Sequence, residues 1–316
     1  MTTTTSRPTD APQKVATRTT TLRRKALPYG LLLPSLVALT VALGYPLVRQ
    51  VVLSFQEFGL AQQFGRPPEW VGLRNYTDLL TDSYLWTVVV RSVLFCLVNA
   101  ALTMVLGMAV AMLLRQMSKP IRILVQSGLL LAWAMPVLAA LIVWEWLFDT
   151  EYGVVNWLLS HLGADYDGHS WLLSPTSFFF VATVIVVWMS VPFVAFTLYA
   201  GLTQVPRELI EAAEVDGANA WQRFRLIMLP TVRPILLVVA LLQVIWDLRV
   251  FTQIYVLQRA GGVTRDTNLL GTYIYRLGIG EGNFGTAAAV AIFMLALTVV
   301  LTAPYVRQML RQEDPT

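Results

Sequence analysis

Residues 178–202 read FFFVATVIVVWMSVPFVAFTLYAGL, which is 25 consecutive positions without a charged side chain. A helix of this length extends about 37 Å at 1.5 Å per residue, enough to cross the hydrocarbon core of a membrane. Similar apolar stretches occur on both sides of it. We predict six membrane helices, with spans near 27–48, 92–114, 123–144, 178–202, 235–257 and 286–306. The predicted fold class is therefore all-α and integral to the membrane.

The composition agrees with a membrane protein. Of the 316 residues, 56% are hydrophobic and 13% are charged, and the mean hydropathy is +0.61. Soluble domains carry about 25% charged residues, so a soluble enzyme, a disordered chain and a small secreted scaffold are excluded. Cys96 is the single cysteine, which excludes an intramolecular disulfide. His161 and His169 lie in one polar connection without a cysteine pair, and we expect no metal site there.

The distribution of basic residues predicts the orientation of the spans. The N-terminal segment, the connections after spans two and four and the C-terminal end hold 15 lysines and arginines, whereas the other side holds 5. Cytoplasmic loops carry the excess of basic residues, so both termini are predicted to be cytoplasmic. Residues 1–26 are predicted to be a flexible basic tail, 27–310 the membrane domain and 311–316 a short cytoplasmic tail.

The longest predicted cytoplasmic connection, 203–233, has the markers of two short helices. Acidic residues lie near the start of the first, where the helix dipole favours them, and Gly217 can adopt the left-handed conformation that ends it. Asn219 and Gln222 have the spacing of a capping box for a second helix, which Pro230 is predicted to close. On these features alone, a solvated connection and a docking element for a partner fit equally well.

Within this loop the stretch 206–230, PRELIEAAEVDGANAWQRFRLIMLP, contains a longer motif. Glu-Ala-Ala at 211–213 is followed at fixed spacing by Gly217 and by Ile-Met-Leu-Pro at 227–230. This pattern resembles the EAA loop of permease subunits of binding-protein-dependent ATP-binding-cassette (ABC) importers. The whole stretch 206–230 is similar to the corresponding sequence in the carbohydrate-uptake branch of this family, of the maltose and glycerol-phosphate type. The resemblance extends over nearly all of 27–310.

The resemblance implies that this loop docks on a separate ATPase, whose closure on ATP would reorient the membrane helices. The residues that it assigns to coupling are Glu211, Ala212, Ala213, Glu214, Asp216 and Gly217. The two alanines would let the first helix sit closely in a groove of the ATPase. The carboxylates of Glu211 and Glu214 would pair with basic groups there, and Gly217 would permit the bend between the helices.

The same resemblance implies the partners. They are a second, related permease that completes the pathway, a dimer of ATPase subunits and an extracytoplasmic solute-binding protein, in the plasma membrane of a bacterium. The chain contains no G-x-x-x-x-G-K-[ST] motif to cradle nucleotide phosphates, so ATP is expected to bind the partner. We expect no catalysis, no cofactor and no nucleic-acid partner for this chain, and contact with membrane lipid around it.

Residues within spans four and five are candidates for lining a substrate path. Charged groups inside a span are costly, so their presence there indicates a functional site. Four positions on span five have the spacing of one helix face: Gln243, Trp246, Asp247 and Val250. Their amide, indole and carboxylate groups suit hydrogen bonding and stacking with a sugar. On span four, Ser190 and Phe193 beside Pro192 are included because in this family the helices flanking the EAA loop contribute to the sugar pocket. Alternatively, Asp247 pairs with a partner subunit or lies near the outer water, and Trp246 faces lipid or packs against another helix.

We therefore predict the permease subunit of an ATP-driven sugar or oligosaccharide importer. An importer of the same class for another solute, such as glycerol phosphate or a polyamine, stays open, since Arg249 would suit a phosphorylated substrate. An ion-coupled secondary transporter would need more intramembrane acids than Asp247 and usually paired repeats. A membrane-embedded enzyme would need clustered acids, histidines or a nucleophile at the membrane surface, and the sequence has no such cluster.

Overall fold

The computed structural model describes residues 31–313, with side chains as far as residue 310. The chain divides into two units, Met1–Val52 and Leu53–Thr316. The first unit holds most of helix α1, Leu31–Ser54, whose interior widens into a π-helical turn at Thr40–Gly44. The predicted N-terminal tail lies outside the described residues.

The second unit is mostly helical. Its helices in chain order are α2 Leu60–Gln63, α3 Arg74–Thr81, α4 Ser83–Gln116, α5 Lys119–Ala134, α6 Val137–Leu147, α7 Val154–His161, α8 Pro175–Leu202, α9 Arg207–Val215, α10 Ala220–Arg223, α11 Leu229–Leu248, α12 Thr252–Arg259, α13 Thr264–Thr267, α14 Leu270–Tyr275 and α15 Phe284–Glu313. A π-helical turn at Phe224–Met228 joins α10 to α11, and another at Arg276–Gly280 follows α14. Strands β1 Gln56–Glu57 and β2 Glu69–Trp70 pair antiparallel.

Five helical stretches of the described residues are long and apolar enough to cross a membrane, in agreement with the predicted all-α membrane fold. They are α1, α4, α8, the run Ala220–Arg259 from α10 to α12, and α15. A sixth span exists only if α5 and α6 count together, because they meet at a bend of 99°. The predicted span 123–144 is thus not one straight helix. Pro136 lacks an amide hydrogen and restricts Met135 to an extended conformation with ψ of 130°, which breaks the helix.

Helix α4 extends further than the predicted second span. It begins at Ser83, nine residues before the predicted start at Ser92. Asp82 caps this end, because its carboxylate accepts a hydrogen bond from the Tyr84 amide at 2.8 Å. Arg91 directly precedes the predicted second span, whereas in the structure it lies inside the helix.

The core of the second unit lies around α4 and α8, which pack together along most of their lengths. Gly107 allows this close approach, since a Cβ atom at that position would lie 2.5 Å from Val194 Cγ1. Large side chains of α8 such as Phe178 and Ile185 are fully buried. Helix α11 packs against α4, α8 and α15, so the helices on both sides of the long loop belong to one core.

Candidate functional site

The loop between α8 and α11 folds as two short helices joined by a tight turn. Gly217 follows the end of α9 with φ of +81°. The Gly217 amide donates to the Glu214 carbonyl at 3.0 Å, and the Ala218 amide donates to the Ala213 carbonyl at 2.8 Å. These two bonds form a Schellman motif, in which the left-handed residue is usually glycine. The prediction that Gly217 ends the first helix is confirmed.

The second short helix, α10, begins with the predicted capping box. The Gln222 amide donates to Asn219 Oδ1 at 2.9 Å, and the Asn219 amide donates to Gln222 Oε1 at 2.8 Å. The prediction that Pro230 closes this helix is wrong. The π-helical turn at Phe224–Met228 carries the helix into α11, with the Leu229 amide bonded to the Phe224 carbonyl. The helix then continues through Pro230 and Pro234, as membrane helices often do at proline.

An ion pair joins the two short helices. The Arg223 guanidinium on α10 contacts the Glu214 carboxylate on α9. The Arg223 side chain is 21% exposed and the Glu214 side chain 54% exposed, so water screens the pair and its contribution to stability is small. Glu211 forms no ion pair within the described residues, and its side chain is exposed.

Helix α9 has one face against the protein and one face open. Ile210 packs against the buried cluster that contains Val205. Leu209 and Val215 are 52% and 89% exposed, and Ala212 is exposed between them. The spacing i, i+3, i+6 places these three on one side of the helix. Ala212 is identified from the sequence, but Leu209 and Val215 are missed. Two apolar residues six positions apart on a short charged helix could have indicated this exposed apolar face.

Two of the predicted span-five residues are buried in the protein. Gln243 is fully buried and Asp247 is 2% exposed. Next to these two residues α11 contacts α4, because the Cys96 thiol of α4 donates a hydrogen bond to the Val244 carbonyl of α11 at 3.4 Å. Both polar side-chain atoms of Gln243 and Oδ2 of Asp247 have no hydrogen-bond partner among the described residues. Buried groups of this kind are normally hydrogen-bonded, which makes Gln243 and Asp247 candidates for binding a polar group.

A second group of predicted residues is aromatic and open. Trp246 is 46% exposed, and its ring meets the Phe193 ring edge to face, with the centroids 5.1 Å apart. Trp133 of α5, which sequence reasoning misses, stacks on Phe193 with a centroid distance of 6.4 Å. Ser190 lies one turn before Phe193 and is partly buried. The three rings form a surface suited to stacking.

Val250 does not share a helix face with the other span-five residues. Helix α11 ends at Leu248, and Arg249 leaves helical geometry with φ of −97° and ψ of 10°. Val250 therefore lies in the break before α12, where it is 8% exposed within an apolar cluster. The predicted face is also split, because neighbours in a helix are rotated by about 100°, which leaves Trp246 open while Asp247 is buried.

A polar pocket lies in the connection between α6 and α8. It has a volume of about 350 Å³, and its lining includes Glu145, Asp149 and Trp171. The Tyr152 and Glu151 amides donate to Asp149 Oδ1 at 2.8 and 2.9 Å, which lowers the pKa of Asp149 below its usual value. This carboxyl therefore stays ionised at a lower pH than an ordinary aspartate. Within residues 31–313, no three His, Cys, Asp or Glu side chains are grouped as for a metal ion.

The sequence and fold are similar to those of known transport proteins. Residues 103–308 match the family described as binding-protein-dependent transport system inner membrane component. The chain is 45% identical to the diacetylchitobiose uptake system permease protein DasB of Streptomyces coelicolor, over 91% of this chain and 88% of that protein. It is 33% identical to the trehalose/maltose transport system permease protein MalF of Thermococcus litoralis, over 90% of this chain and 94% of that protein. A chain of the bacterial alginate ABC transporter in complex with alginate pentasaccharide-bound periplasmic protein shares the fold, with a TM-score of 0.79 at 23% identity over 94% of this chain and 98% of that chain.

Proposed function

Because this chain belongs to the family of binding-protein-dependent transport system inner membrane components, we propose that it forms half of the translocation pathway of an ATP-driven sugar importer. The chain is a multi-pass membrane protein and a transport subunit rather than an enzyme. Relatives named for diacetylchitobiose and for trehalose and maltose support a sugar or oligosaccharide as the solute. Glycerol phosphate is the alternative within this class, for which the exposed Arg249 is the relevant residue.

The proposed assembly contains a second permease, two ATPase subunits and an extracytoplasmic solute-binding protein. ATP would bind the ATPase subunits, and both termini of this chain would lie in the cytoplasm. The solved complex of the alginate transporter with its periplasmic protein supports a binding-protein-dependent mechanism. In this orientation the polar pocket around Asp149 faces the side from which the solute-binding protein would deliver its solute.

The apolar stripe on α9 is the observation that carries the proposed coupling role. The exposed stripe consists of Leu209, Ala212 and Val215. Helices with such an apolar face bind in hydrophobic grooves of partner proteins. The ATPase groove would accept this stripe, and Glu211 would pair with a basic group at its rim. Ala213, Asp216 and Gly217 would shape the end of the same helix.

The loop is suited to transmit a movement of the ATPase as one body. The Glu214–Arg223 pair and the tight turn link α9 to α10, and the π-helical turn joins α10 to α11 without a break. A displacement of α9 would therefore move the cytoplasmic end of α11. Because α11 carries Gln243, Trp246 and Asp247, the same movement would alter the proposed substrate path and alternate its access between the two sides.

The proposed path is lined by the open aromatic surface. Trp246 and Phe193, with Ser190 beside them, would contact the passing sugar, since aromatic rings stack on its apolar face. Gln243 and Asp247 are buried on the same helix as Trp246 and would offer hydrogen bonds to hydroxyl groups when the helices move. Val250 would contribute only apolar packing at the end of α11.

We expect Trp246→Ala to lower the rate of sugar uptake about fivefold, because a lost stacking contact costs about 1 kcal/mol. ATP hydrolysis stimulated by the loaded solute-binding protein should continue, since Trp246 is not part of the proposed docking face on α9. Both rates can be measured in vesicles that contain the whole complex. Trp70→Ala, at a tryptophan that is 68% exposed outside the path, is the matched control. Unchanged uptake in Trp246→Ala would remove Trp246 from the path.

The assembly is tested by isolating the tagged chain from its native membrane in a mild detergent and identifying the bound proteins by mass spectrometry. We expect a nucleotide-binding ATPase and a second permease in stoichiometric amounts. A solute-binding protein recovered with them would then be screened against sugars and glycerol phosphate. A chain that is isolated alone and still supports uptake into vesicles without ATP would overturn the proposed function.

A further inference from the structure

A groove opens on the surface between α4 and α8, near the N-terminal end of α4. Its volume is about 750 Å³, and its walls are mostly apolar. Val90, Leu94 and Val98 line it at intervals of four residues along α4, and they are 55%, 57% and 50% exposed. Phe179 of α8 forms part of the opposite wall. The three aliphatic residues span about 12 Å along the helix at 1.5 Å per residue, a length that suits an extended hydrocarbon chain.

The groove contains one cationic side chain, that of Arg91. Its Nη1 atom donates to the backbone carbonyls of Asn268 at 3.2 Å and Arg265 at 3.4 Å. The guanidinium carbon lies 5.9 Å from the centroid of the Phe179 ring. No carboxylate of the described residues lies within ion-pair distance of Arg91. The two carbonyls engage one nitrogen atom of the guanidinium, which leaves its other N–H donors without a hydrogen-bond partner among the described residues and able to bind a ligand in the groove.

We propose that this groove binds an anionic phospholipid, with the phosphate on the Arg91 guanidinium and one acyl chain along Val90, Leu94 and Val98. Arginine binds phosphate through paired, charge-assisted hydrogen bonds. A cation at the surface of a membrane helix requires such a partner or contact with water. A purely apolar helix in the same groove would leave the guanidinium without a counter-charge, so charge complementarity favours the lipid. In the orientation proposed above, the lipid belongs to the outer leaflet.

The test uses the purified complex in mild detergent, titrated with phosphatidylglycerol or with phosphatidylcholine of the same acyl chains. Bound lipid is counted by native mass spectrometry. We expect one site that binds phosphatidylglycerol about fivefold more tightly, the ratio that corresponds to about 1 kcal/mol for one basic residue. Arg91→Gln should abolish the preference and Arg91→Lys should retain it. Arg66→Gln, which removes an exposed cation outside the groove, should leave the preference unchanged.

A second variant blocks the groove while keeping Arg91. Leu94→Trp places a large side chain at an exposed position, so the fold is preserved, and we expect the site for either lipid to disappear. The proposal is overturned if Arg91→Gln keeps the preference or if Leu94→Trp still binds phosphatidylglycerol. It is equally overturned if the Leu94→Cys variant forms a crosslink to a neighbouring subunit, because that subunit and not a lipid would then occupy the groove. None of these results depends on uptake, so the proposed transport function can stand or fail separately.

Discussion

Replacing Val215 with aspartate is expected to reduce ATP-driven uptake at least tenfold while the chain folds and inserts normally. Val215 is 89% exposed, so the substitution disturbs no packing within this chain. In the proposed complex the same side chain enters an apolar groove of the ATPase. Burial of an unpaired carboxylate costs several kcal/mol, and about 1.4 kcal/mol already corresponds to a tenfold loss.

The loss should be a failure of docking and should therefore appear in three measurements. Uptake into vesicles falls, ATPase subunits no longer co-purify with the permease, and hydrolysis loses its response to the solute-binding protein. Val215→Leu should behave like the natural chain, because it keeps an apolar surface. Gln204→Asp adds the same charge to an exposed position near the start of the loop and should leave uptake intact. Full uptake by Val215→Asp would exclude the stripe on α9 as the docking face.

Replacing Gly107 with leucine is expected to prevent stable folding of the membrane domain. A Cβ atom at Gly107 would lie 2.5 Å from Val194 Cγ1 and 2.8 Å from Val194 Cβ. Neither α4 nor α8 can move away without opening the core that the two helices share. Overpacking of this kind costs about 3 kcal/mol. The yield of monodisperse protein in detergent and the midpoint of thermal unfolding should both fall sharply.

Three further variants test this cause. Gly128→Leu makes the same substitution within α5, where a Cβ atom would meet nothing within 4 Å, and it should leave the unfolding midpoint close to that of the natural chain. Gly107→Ala should be destabilised to a smaller extent than Gly107→Leu. Adding Val194→Gly to Gly107→Ala removes both clashing carbon atoms and should recover part of the loss. If the double variant is no more stable than Gly107→Ala, the contact between Gly107 and Val194 does not limit the packing.

The local turns of the loop between α8 and α11 could be predicted because each depends on residues within six positions of one another. Gly217 adopts the left-handed conformation, and Asn219 and Gln222 cap each other. The continuation of the helix through Pro230 could not be predicted from the same rules. Proline breaks helices in soluble proteins, whereas this helix continues through Pro230 after the π-helical turn at Phe224–Met228, because membrane helices tolerate proline.

The candidate substrate path was predicted less well. Helical spacing placed Gln243, Trp246, Asp247 and Val250 on one face, but spacing alone does not say where a helix ends or what packs beside it. The structure buries Gln243 and Asp247, leaves Trp246 open and puts Val250 beyond the helix. Trp133 of α5 stacks on Phe193, which lies 60 residues later in the sequence. Helical periodicity within one segment does not predict a contact between two such distant segments.

The sequence by itself determined that this chain is a helical membrane protein and that its long loop has two capped helices. Hydrophobicity over 20 residues and hydrogen bonds between near neighbours suffice for both, since each is a property of a local segment. Only the tertiary structure decided that Arg223 pairs with Glu214, that Gly107 admits Val194 and that Arg91 faces an apolar groove. These features depend on which helices pack together and at what register, and many side chains distant in sequence determine that packing jointly.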